Sequence, residues 1–179
     1  MGSVIWFTGL SGAGKTTISC LVESAISKDP ALNCSVFRLD GDTLRSGLCQ
    51  DLGFSISDRA ENIRRTAELC TLLTSSNHIV IVALISPIAE DRYRARRIVE
   101  LKGGSFFEIY IDTSLEVAEL RDVKGLYRKA RNGELSNFTG IGSPYEIPVN
   151  PELIVTTDNE TPEESAVKVV NFLKKMSVF

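Results

Sequence analysis

The chain has 179 residues, of which 43% are hydrophobic and 24% are charged, and its net charge is −3. A chain of this length and composition can bury one full hydrophobic core, so we expect a single domain over residues 1–179. The acidic balance disfavours bulk binding to nucleic acid or to an anionic membrane, because both partners require a basic surface.

Five apolar runs alternate with helical patterns along the chain. The predicted strands cover residues 4–7, 35–39, 78–85, 106–111 and 153–155. The predicted helices cover residues 17–26, 43–49, a long segment capped by Ser57 or Asp58, and residues 88–101, 114–120 and 161–175. This alternation predicts an α/β fold, in which a parallel sheet carries helices on both faces.

Polar segments follow the predicted strands directly. In a parallel sheet these segments lie along one edge, where ligands bind. The segments are the loop after the first strand, Asp40 with Asp42, Ser86, and Asp112. We therefore expect a binding site at this edge.

Residues 9–16 read Gly-Leu-Ser-Gly-Ala-Gly-Lys-Thr and match the phosphate-binding pattern G-x-x-x-x-G-K-[ST] between a strand and a helix. The glycines let backbone N–H groups converge on a phosphate, and the helix N-terminus adds positive charge. Lys15 can reach the β- and γ-phosphates of a nucleotide, and the Thr16 hydroxyl can bind Mg²⁺. The alternative is a glycine-rich turn that merely begins a helix, and the strand–helix context disfavours it.

Asp40-Gly41-Asp42 follows the second predicted strand. Its carboxylates could bind Mg²⁺ through water or orient an attacking hydroxyl group, or they could simply form a turn. Phosphate-loop proteins often place a magnesium-organising Asp after the third apolar run, where this chain has Ile85-Ser86-Pro87. Asp40 and Asp42 are then the nearest acids by topology, which favours the functional interpretation.

Four arginines form a basic series: Arg45, Arg59, Arg64 and Arg65. Arg59 shares a helix face with Asn62, and guanidinium groups bind phosphate or sulfate oxygens in a bidentate way. The alternative is a solvated helix face in which Asp58 and Glu61 form ion pairs with the arginines. Phe54, just upstream, favours the anion-binding interpretation.

Residues 121–147 are rich in charge, Gly and Pro and show little core-forming pattern. A segment of this length inside a compact domain is typical of an active-site lid, whose cations could close over a transferring phosphoryl group. The alternative is a disordered surface loop, against which Tyr127, Phe138 and Tyr145 argue. The single histidine, His78, begins a strand, and we expect it to be structural.

The cysteines are scattered, at Cys20, Cys34, Cys49 and Cys70. Their spacing indicates neither a zinc site nor a disulfide framework, and free thiols are typical of a reducing compartment. No apolar run approaches the length of a membrane span, and the first strand begins too early to leave room for a signal peptide. We expect a cytoplasmic protein with Cys20 and Cys70 in or near the core.

Eight motifs follow one another without a large insertion: G-L-S-G-A-G-K-T-T, D-G-D-x-x-R, D-L-G-F, D-R-x-x-N-I-R-R, I-S-P, V-K-G-L-Y-x-K-A-R-x-G-E, F-T-G-I and P-Y-E-x-P-x-N-P-E. Together they resemble the adenylyl-sulfate kinase (APS kinase) family. The resemblance implies a P-loop NTPase-like parallel sheet with a mobile lid at about 121–147. It also implies an ATP-dependent phosphotransferase of sulfate assimilation that uses Mg²⁺ and converts adenosine 5′-phosphosulfate into 3′-phosphoadenosine 5′-phosphosulfate.

The resemblance further implies roles for individual residues. Those expected to bind ATP are Gly9, Leu10, Ser11, Gly12, Ala13, Gly14, Lys15, Thr16, Thr17 and Arg121. Those expected to bind adenosine 5′-phosphosulfate are Asp42, Arg45, Phe54, Arg59, Asn62, Ile85, Ser86, Lys124, Asn137 and Phe138. Thr16 and Asp40 would hold Mg²⁺. The expected catalytic residues are Lys15, Asp40, Asp42 and Ser86, with Asp42 as general base.

Family descriptions place a phosphoserine intermediate at the serine of I-S-P, here Ser86. Direct in-line transfer needs no covalent step, so we expect Ser86 to act without one. The chain departs from the usual family pattern at Thr43, Leu84 and Gly142-Ser143, which we expect to affect rate and affinity rather than the reaction. We also expect a stand-alone homodimeric kinase without the N-terminal extension of many relatives.

Two other functions are compatible with a phosphate loop. A phosphate-loop kinase could act on another small acceptor, such as a nucleoside or a sugar, but Phe54, Arg59 and Phe138 suit a nucleotide with an extra anionic group. A nucleotide-binding module without transferase activity would have no need for both Asp40 and Asp42.

Overall fold

The computed structural model describes residues 2–30, 32–33 and 35–179, so Cys34 lies outside the described residues. Within them the chain forms a parallel sheet whose strands run in the order β2-β3-β1-β4-β5. The strands are β1 (Ser3–Thr8), β2 (Val36–Asp40), β3 (Ile79–Ala83), β4 (Ser105–Asp112) and β5 (Leu153–Thr156). The parallel arrangement brings their carboxyl ends to one edge, as predicted.

Helices cover both faces of this sheet, which confirms the expected α/β architecture. They are α1 (Lys15–Ser27), α2 (Gly41–Arg45), α3 (Ile56–Ser75), α4 (Ala89–Leu101), α5 (Leu115–Arg121), α6 (Leu126–Arg131) and α7 (Pro162–Lys175). Helices α1 and α7 pack on one face, while α3 and α4 pack on the other.

The central strand β1 serves both cores because alternate side chains of a strand point to opposite faces. Ile5 and Phe7 lie in the core under α1 and α7, and Val4 and Trp6 lie in the core under α3 and α4. All four side chains are fully buried. The continuous apolar run of this strand therefore reflects burial on both sides.

Element boundaries differ from the predictions at caps and turns. Helix α3 begins after Ser55, two or three residues earlier than the predicted caps, because the Ser55 hydroxyl accepts a hydrogen bond from the Asp58 N–H at 3.1 Å. Helix α2 begins at Gly41 because Asp40 caps it. Strand β3 ends at Ala83 rather than at residue 85. The Leu84 N–H still donates to the Phe7 carbonyl of β1 at 3.3 Å, and the chain turns at Ser86, whose φ is 40°.

Residues 121–147 hold more structure than their composition indicates. They include α6, and the side chains of Tyr127, Ala130 and Phe138 are buried with Ala118 in a small third cluster. A pattern search misses this cluster because its members come from separate short segments rather than from one periodic helix.

Three smaller expectations concern the cysteines, His78 and the membrane. Cys49 and Cys70 are buried, Cys20 is half-buried, and all three are free thiols. His78 accepts a hydrogen bond from the Ser35 N–H at 3.3 Å, in keeping with a structural role. Among the helices described, none is both long enough and apolar enough to span a membrane.

Candidate active site

A cleft of about 900 Å³ opens at the carboxyl edge of the sheet. The predicted site residues that line it are Ser11, Gly12, Ala13, Gly14, Lys15, Thr16, Thr17, Asp40, Asp42, Arg45, Phe54, Arg59, Asn62, Ile85, Ser86, Arg121, Lys124 and Phe138. Gly9, Leu10 and Asn137 contribute backbone carbonyls to neighbouring side chains instead of lining it. Asp112 lies at the same edge but lines a separate cavity of about 690 Å³.

The phosphate loop lies directly against the backbone of neighbouring elements. Gly9 has a φ of 149°, and a Cβ there would stand 2.5 Å from the carbonyl oxygen of Ile111 on β4. Gly12 has a φ of 75°, and its Cβ would stand 2.9 Å from the carbonyl oxygen of Ala118 on α5. Both positions therefore require glycine for conformation and for space.

Lys15, the first residue of α1, folds back over this loop. Its Nζ donates hydrogen bonds to the carbonyls of Gly9 at 3.0 Å and Leu10 at 2.6 Å, and the residue is 8% exposed. Burial lowers the pKa of the Lys15 ammonium to about 7, although the charge of Asp40 opposes the shift. The ammonium group is thereby held against the phosphate loop, which suits it to a polyphosphate.

Asp40 connects the phosphate loop with the start of α2. Its Oδ2 accepts a hydrogen bond from the Thr16 hydroxyl at 2.7 Å, and its Oδ1 accepts one from the Asp42 N–H at 3.0 Å. Arg38 lies 3.8 Å from Oδ2 and pairs with Glu23. Asp40 is buried and fully engaged, so its carboxylate is fixed in orientation.

Asp42 has the opposite surroundings. Its side chain is 75% exposed, and it forms an ion pair with Lys124 from residues 121–147. No other side-chain partner of its carboxylate appears among the described residues. The carboxylate therefore projects into the cleft with an oxygen available to a ligand.

Arg45 and Arg59 form a positive pocket around one aromatic ring. Their guanidinium carbons lie 4.3 Å and 5.5 Å from the centroid of the Phe54 ring. Arg45 donates to the carbonyls of Leu52 and Gly53, and Arg59 donates to that of Phe54. Burial and the charge of Arg45 lower the pKa of Arg59. Within the described part of the chain neither guanidinium pairs with a carboxylate, so the pocket can take an anion.

Asn62 lies beside this pocket on the same face of α3. The residue is 3% exposed, and its Nδ2 has no hydrogen-bond partner among the described residues. A buried amide donor without a partner is costly unless a ligand or water satisfies it. Phe138 lines the other wall and packs edge-on against Tyr127, with ring centroids 4.9 Å apart.

Arg64 and Arg65 form ion pairs on the surface of α3, which is the alternative to anion binding that the sequence left open. Arg64 pairs with Glu61 at 2.7 Å, and Arg65 pairs with Glu61 at 2.9 Å and with Asp51 at 2.7 Å. These hydrogen bonds lower the pKa of Glu61 to about 2. The two arginines form an ion-paired helix surface outside the cleft.

Ser86 lies at the cleft with its hydroxyl group turned inward. The residue is 3% exposed, and its Oγ accepts a hydrogen bond from the Trp6 indole N–H at 3.0 Å. The Ser86 carbonyl accepts hydrogen bonds from Arg92 at 2.8 Å and Thr8 at 3.4 Å. No carboxylate or imidazole contacts this hydroxyl among the described residues.

Arg121 and Tyr127 hold the far side of the phosphate loop. Arg121 donates to the Thr157 carbonyl at 2.6 Å and to the Gly12 carbonyl at 3.5 Å. The Tyr127 hydroxyl donates to the Ser11 carbonyl at 2.9 Å. Neither Tyr127 nor Thr157 is among the residues that the sequence predicts for the site. Tyr127 lies in the K-G-L-Y motif, whereas nothing in the sequence singles out Thr157.

Comparison with known proteins places this site in a family. The family model for adenylylsulphate kinase matches residues 1–156. An adenylyl-sulfate kinase of Acaryochloris marina is 53% identical over 178 residues, which are 99% of this chain and 84% of that relative. One of Halothermothrix orenii is 51% identical over 174 residues, which are 97% of this chain and 90% of the relative.

A solved structure agrees with these relatives. The Mycobacterium tuberculosis APS kinase CysC, in complex with AMPPNP and APS, superposes with a TM-score of 0.92 at 48% identity. The match covers 97% of this chain and 98% of that chain. The chain belongs to the adenylylsulphate kinase family.

Proposed function

We propose that the cleft binds ATP on the phosphate loop and adenosine 5′-phosphosulfate on the opposite wall, with Asp42 between them. The enzyme is an adenylyl-sulfate kinase, which transfers the γ-phosphoryl group of ATP to the 3′-hydroxyl of adenosine 5′-phosphosulfate. The single observation that supports this arrangement best is the pair of contacts made by the Asp40 carboxylate, to Thr16 on the phosphate loop and to the backbone of Asp42.

The donor wall consists of the loop N–H groups, Lys15 and Arg121. When ATP binds, Lys15 would exchange its contacts to two loop carbonyls for phosphate oxygens, which keep the ammonium charged. Arg121, tied to Thr157 and Gly12, would pack beside the ATP base. Gly9 to Thr17 would hold the ATP phosphates.

The acceptor wall consists of Phe54, Phe138 and the two free guanidinium groups. Phe54 and Phe138 would enclose the adenine, and Arg45 with Arg59 would bind the phosphosulfate. The unpartnered Nδ2 of Asn62 supplies a further donor, and the Ile85 and Ser86 backbone with Asn137 would complete the pocket. Lys124 would release its ion pair with Asp42 and contact the substrate instead.

Asp42 is the general base in this proposal. The 3′-hydroxyl oxygen attacks the γ-phosphorus, the bond from that phosphorus to the β,γ-bridging oxygen breaks, and the hydroxyl proton passes to the Asp42 carboxylate. Asp40 is less suited to this role, because it is buried and its carboxylate is held by Thr16 and by the Asp42 N–H. Asp42 is exposed and its one ion-pair partner is a flexible lysine, so it can reach a substrate hydroxyl.

Thr16 and Asp40 have the oxygen donors that a magnesium ion prefers. The described residues include no group of three or more His, Cys, Asp or Glu that could bind a metal alone. This fits Mg²⁺, which usually takes one or two protein oxygens together with water and substrate phosphates. Bound there, Mg²⁺ would neutralise charge on the phosphate oxygens.

Ser86 acts through its backbone in this proposal. Its hydroxyl is buried under the Trp6 indole, and no base stands beside it to activate a nucleophile among the described residues. Direct transfer between the two substrates needs positioning and charge stabilisation only.

The test compares Asp42→Asn with wild type in steady-state assays that use adenosine 5′-phosphosulfate, adenosine 5′-monophosphate and a nucleoside as acceptors. Wild type should favour the phosphosulfate. Asn keeps the shape of Asp42 but cannot accept the proton, so kcat should fall about 10²- to 10⁴-fold. Nucleotide affinity, measured by calorimetry, should stay near the wild-type value because Asp42 does not contact the phosphate loop.

The matched control is Glu116→Gln, which neutralises an exposed carboxylate on α5 away from the cleft. It should leave kcat unchanged. Equal turnover of all acceptors would contradict the acceptor pocket, and a wild-type kcat in Asp42→Asn would contradict the general base.

Three coarser features belong to the same proposal. We propose that residues 1–179 form one domain, and that residues 121–147 act as its lid, supported by the Lys124–Asp42 ion pair across the cleft. A homodimer is supported by exposed apolar side chains outside the cleft such as Leu120 and Val149, and sedimentation velocity tests it. The free thiols support a reducing compartment such as the cytoplasm.

A further inference from the structure

We propose that Arg92, which lies outside the cleft, is a positioning residue for the acceptor wall. It fixes the turn at Ile85 and Ser86 through the carbonyl oxygen of Ser86. The inference rests on the proposed function, because it takes this turn to be part of the adenosine 5′-phosphosulfate pocket.

All three nitrogens of the Arg92 guanidinium donate hydrogen bonds, and only 3% of the residue is exposed. Its Nη1 donates to the Ser86 carbonyl at 2.8 Å, its Nη2 to the Glu146 carbonyl at 2.8 Å, and its Nε to Glu108 at 2.7 Å. The guanidinium carbon also lies 5.8 Å from the ring centroid of Tyr145. One side chain therefore ties α4 to β4, to the cleft turn and to the segment around residue 146.

The Ser86 turn needs such support because its backbone is strained. A φ of 40° is unfavourable for a residue with a Cβ, and it persists only where the surroundings enforce it. Arg92 and Thr8 hold the Ser86 carbonyl, and Trp6 holds the hydroxyl. Of these groups Arg92 carries the charge and makes the shortest contact to the carbonyl.

The same turn is joined to the phosphate loop. Thr8, which directly precedes Gly9, donates its hydroxyl hydrogen bond to the Ile85 carbonyl at 2.7 Å. The Tyr145 hydroxyl lies 2.9 Å from the Thr8 hydroxyl. A displaced Ser86 carbonyl would move the acceptor pocket relative to the loop that holds ATP, and phosphoryl transfer is sensitive to displacements of about 1 Å.

If the role of Arg92 were only to stabilise the core, its guanidinium would not need to contact the backbone at the cleft. An ion pair with Glu108 alone would neutralise the buried charge, yet two of the three donating nitrogens go to backbone carbonyls at the cleft and at residue 146. Arg96, one turn further along α4, provides the comparison. It donates to Glu152 at 2.7 Å and to the Phe106 carbonyl at 3.0 Å, and it does not contact the cleft turn.

The experiment compares Arg92→Lys with Arg96→Lys in the full chain. Lysine keeps the positive charge but cannot supply three fixed donors. In Arg92→Lys the KM for adenosine 5′-phosphosulfate should rise about tenfold, because the acceptor wall moves. The KM for ATP should stay within about twofold of wild type, because the loop itself is intact. Arg96→Lys should leave both constants at wild-type values, whatever its effect on thermal stability.

A fall in thermal stability of Arg92→Lys without the split between the two KM values would overturn the inference, as would an equal rise in both. If Arg92→Lys does not fold, the double variant Arg92→Met/Glu108→Gln leaves no unpaired core charge, and the same split is expected from it. Inactive wild-type enzyme would instead contradict the proposed function. If wild type is active and both Arg92 variants keep wild-type KM values, the role proposed for Arg92 is wrong while the proposed function stands.

Discussion

Two carboxylates separated by one residue have different capacities because their surroundings differ. Asp40 is buried and accepts hydrogen bonds on both oxygens, whereas Asp42 is exposed and pairs with one lysine. The first is suited to hold a fixed geometry and the second to exchange a proton. The residue pattern by itself grouped them as one Asp-Gly-Asp motif, and only the family resemblance implied that Asp42 is the base and that Asp40 holds the metal.

Tyr127 gives a prediction about stability and pH at the scale of one residue. Burial, with the charges of Glu119 and Asp122, raises the pKa of the Tyr127 phenol to about 12, and the hydroxyl donates to the Ser11 carbonyl. A folded-state pKa above the unfolded value gives stability that is present below pH 10 and is lost as the pH rises through 12. Tyr127→Phe should therefore be less stable than wild type at pH 8, by about 1 kcal/mol, and the gap should narrow above pH 10.

Urea unfolding at pH 8 and pH 11 measures this gap, with equal m-values in the two proteins as the control for comparable unfolding. A gap that stays constant between the two pH values would show that the phenol does not titrate as its burial indicates.

At the scale of single residues, the sequence identified the residue types of the site better than it identified which of them are ion-paired. It pointed to Arg45 and Arg59 together with Arg64 and Arg65, and only the first two reach the cleft. All four carry the same charge, so the difference depends on whether acids from other turns or segments, here Glu61 and Asp51, lie within reach. The Glu61 pairs follow from helical spacing of three and four residues, whereas the contact between Asp51 and Arg65 depends on the fold.

The phosphate loop is the element whose sequence and structure agree most closely. Its pattern predicts a strand, a turn and a helix, and the chain forms β1, a turn with glycines in the left-handed region, and α1. The reason is local: the allowed backbone angles of glycine and the missing Cβ are properties of the residue itself.

Two glycines with nearly equal φ angles test this loop. Gly12 and Gly133 have φ values of 75° and 76°, but a Cβ at Gly12 would meet the Ala118 carbonyl at 2.9 Å, while one at Gly133 would meet nothing within 4 Å. Gly133→Ala should cost about 1 kcal/mol of stability through conformation alone. Gly12→Ala should cost more, and should weaken ATP binding at least about tenfold, because the loop backbone must shift.

Urea unfolding and calorimetric titration with ATP measure both effects, and Gly133→Ala serves as the matched control. Equal losses of stability with unchanged ATP affinity in both variants would show that the contact with Ala118 places no constraint on the loop.

The lid segment shows the opposite relation between sequence and structure. Its charge and its glycines predict irregular backbone, yet it contains α6 and buries Tyr127 and Phe138 against α5. A six-residue helix is too short to show a periodic apolar face. Its stability must come from tertiary packing, because isolated helices of this length do not persist in water.

At the scale of the whole molecule the sheet separates two cores, and Cys70 reports on one of them. Cys70 lies in the core beneath α3 and α4 with no exposed surface, and burial raises the pKa of its thiol. It should react with a thiol reagent only when that core opens. With Cys20, Cys34 and Cys49 replaced by Ser, labelling of Cys70 should be slower than in urea-unfolded chain by a factor on the order of 10³ or more.

The control keeps half-buried Cys20 as the single thiol and replaces the other cysteines, and it should react faster than Cys70. Reaction of Cys70 as fast as that of Cys20 would show that the α3–α4 core opens without global unfolding.

The sequence by itself determined the class of fold, the phosphate loop and the family, since each depends on residues close together along the chain or on an ordered series of motifs. The tertiary structure alone decided which arginines remain unpaired at the cleft, how Asp40 and Asp42 differ, and that Arg92 reaches the Ser86 carbonyl from outside the site. Most of the deciding contacts, such as Thr16 to Asp40, Lys124 to Asp42 and Asp51 to Arg65, join separate segments, and their distances are set only when the sheet and its two helical layers have packed.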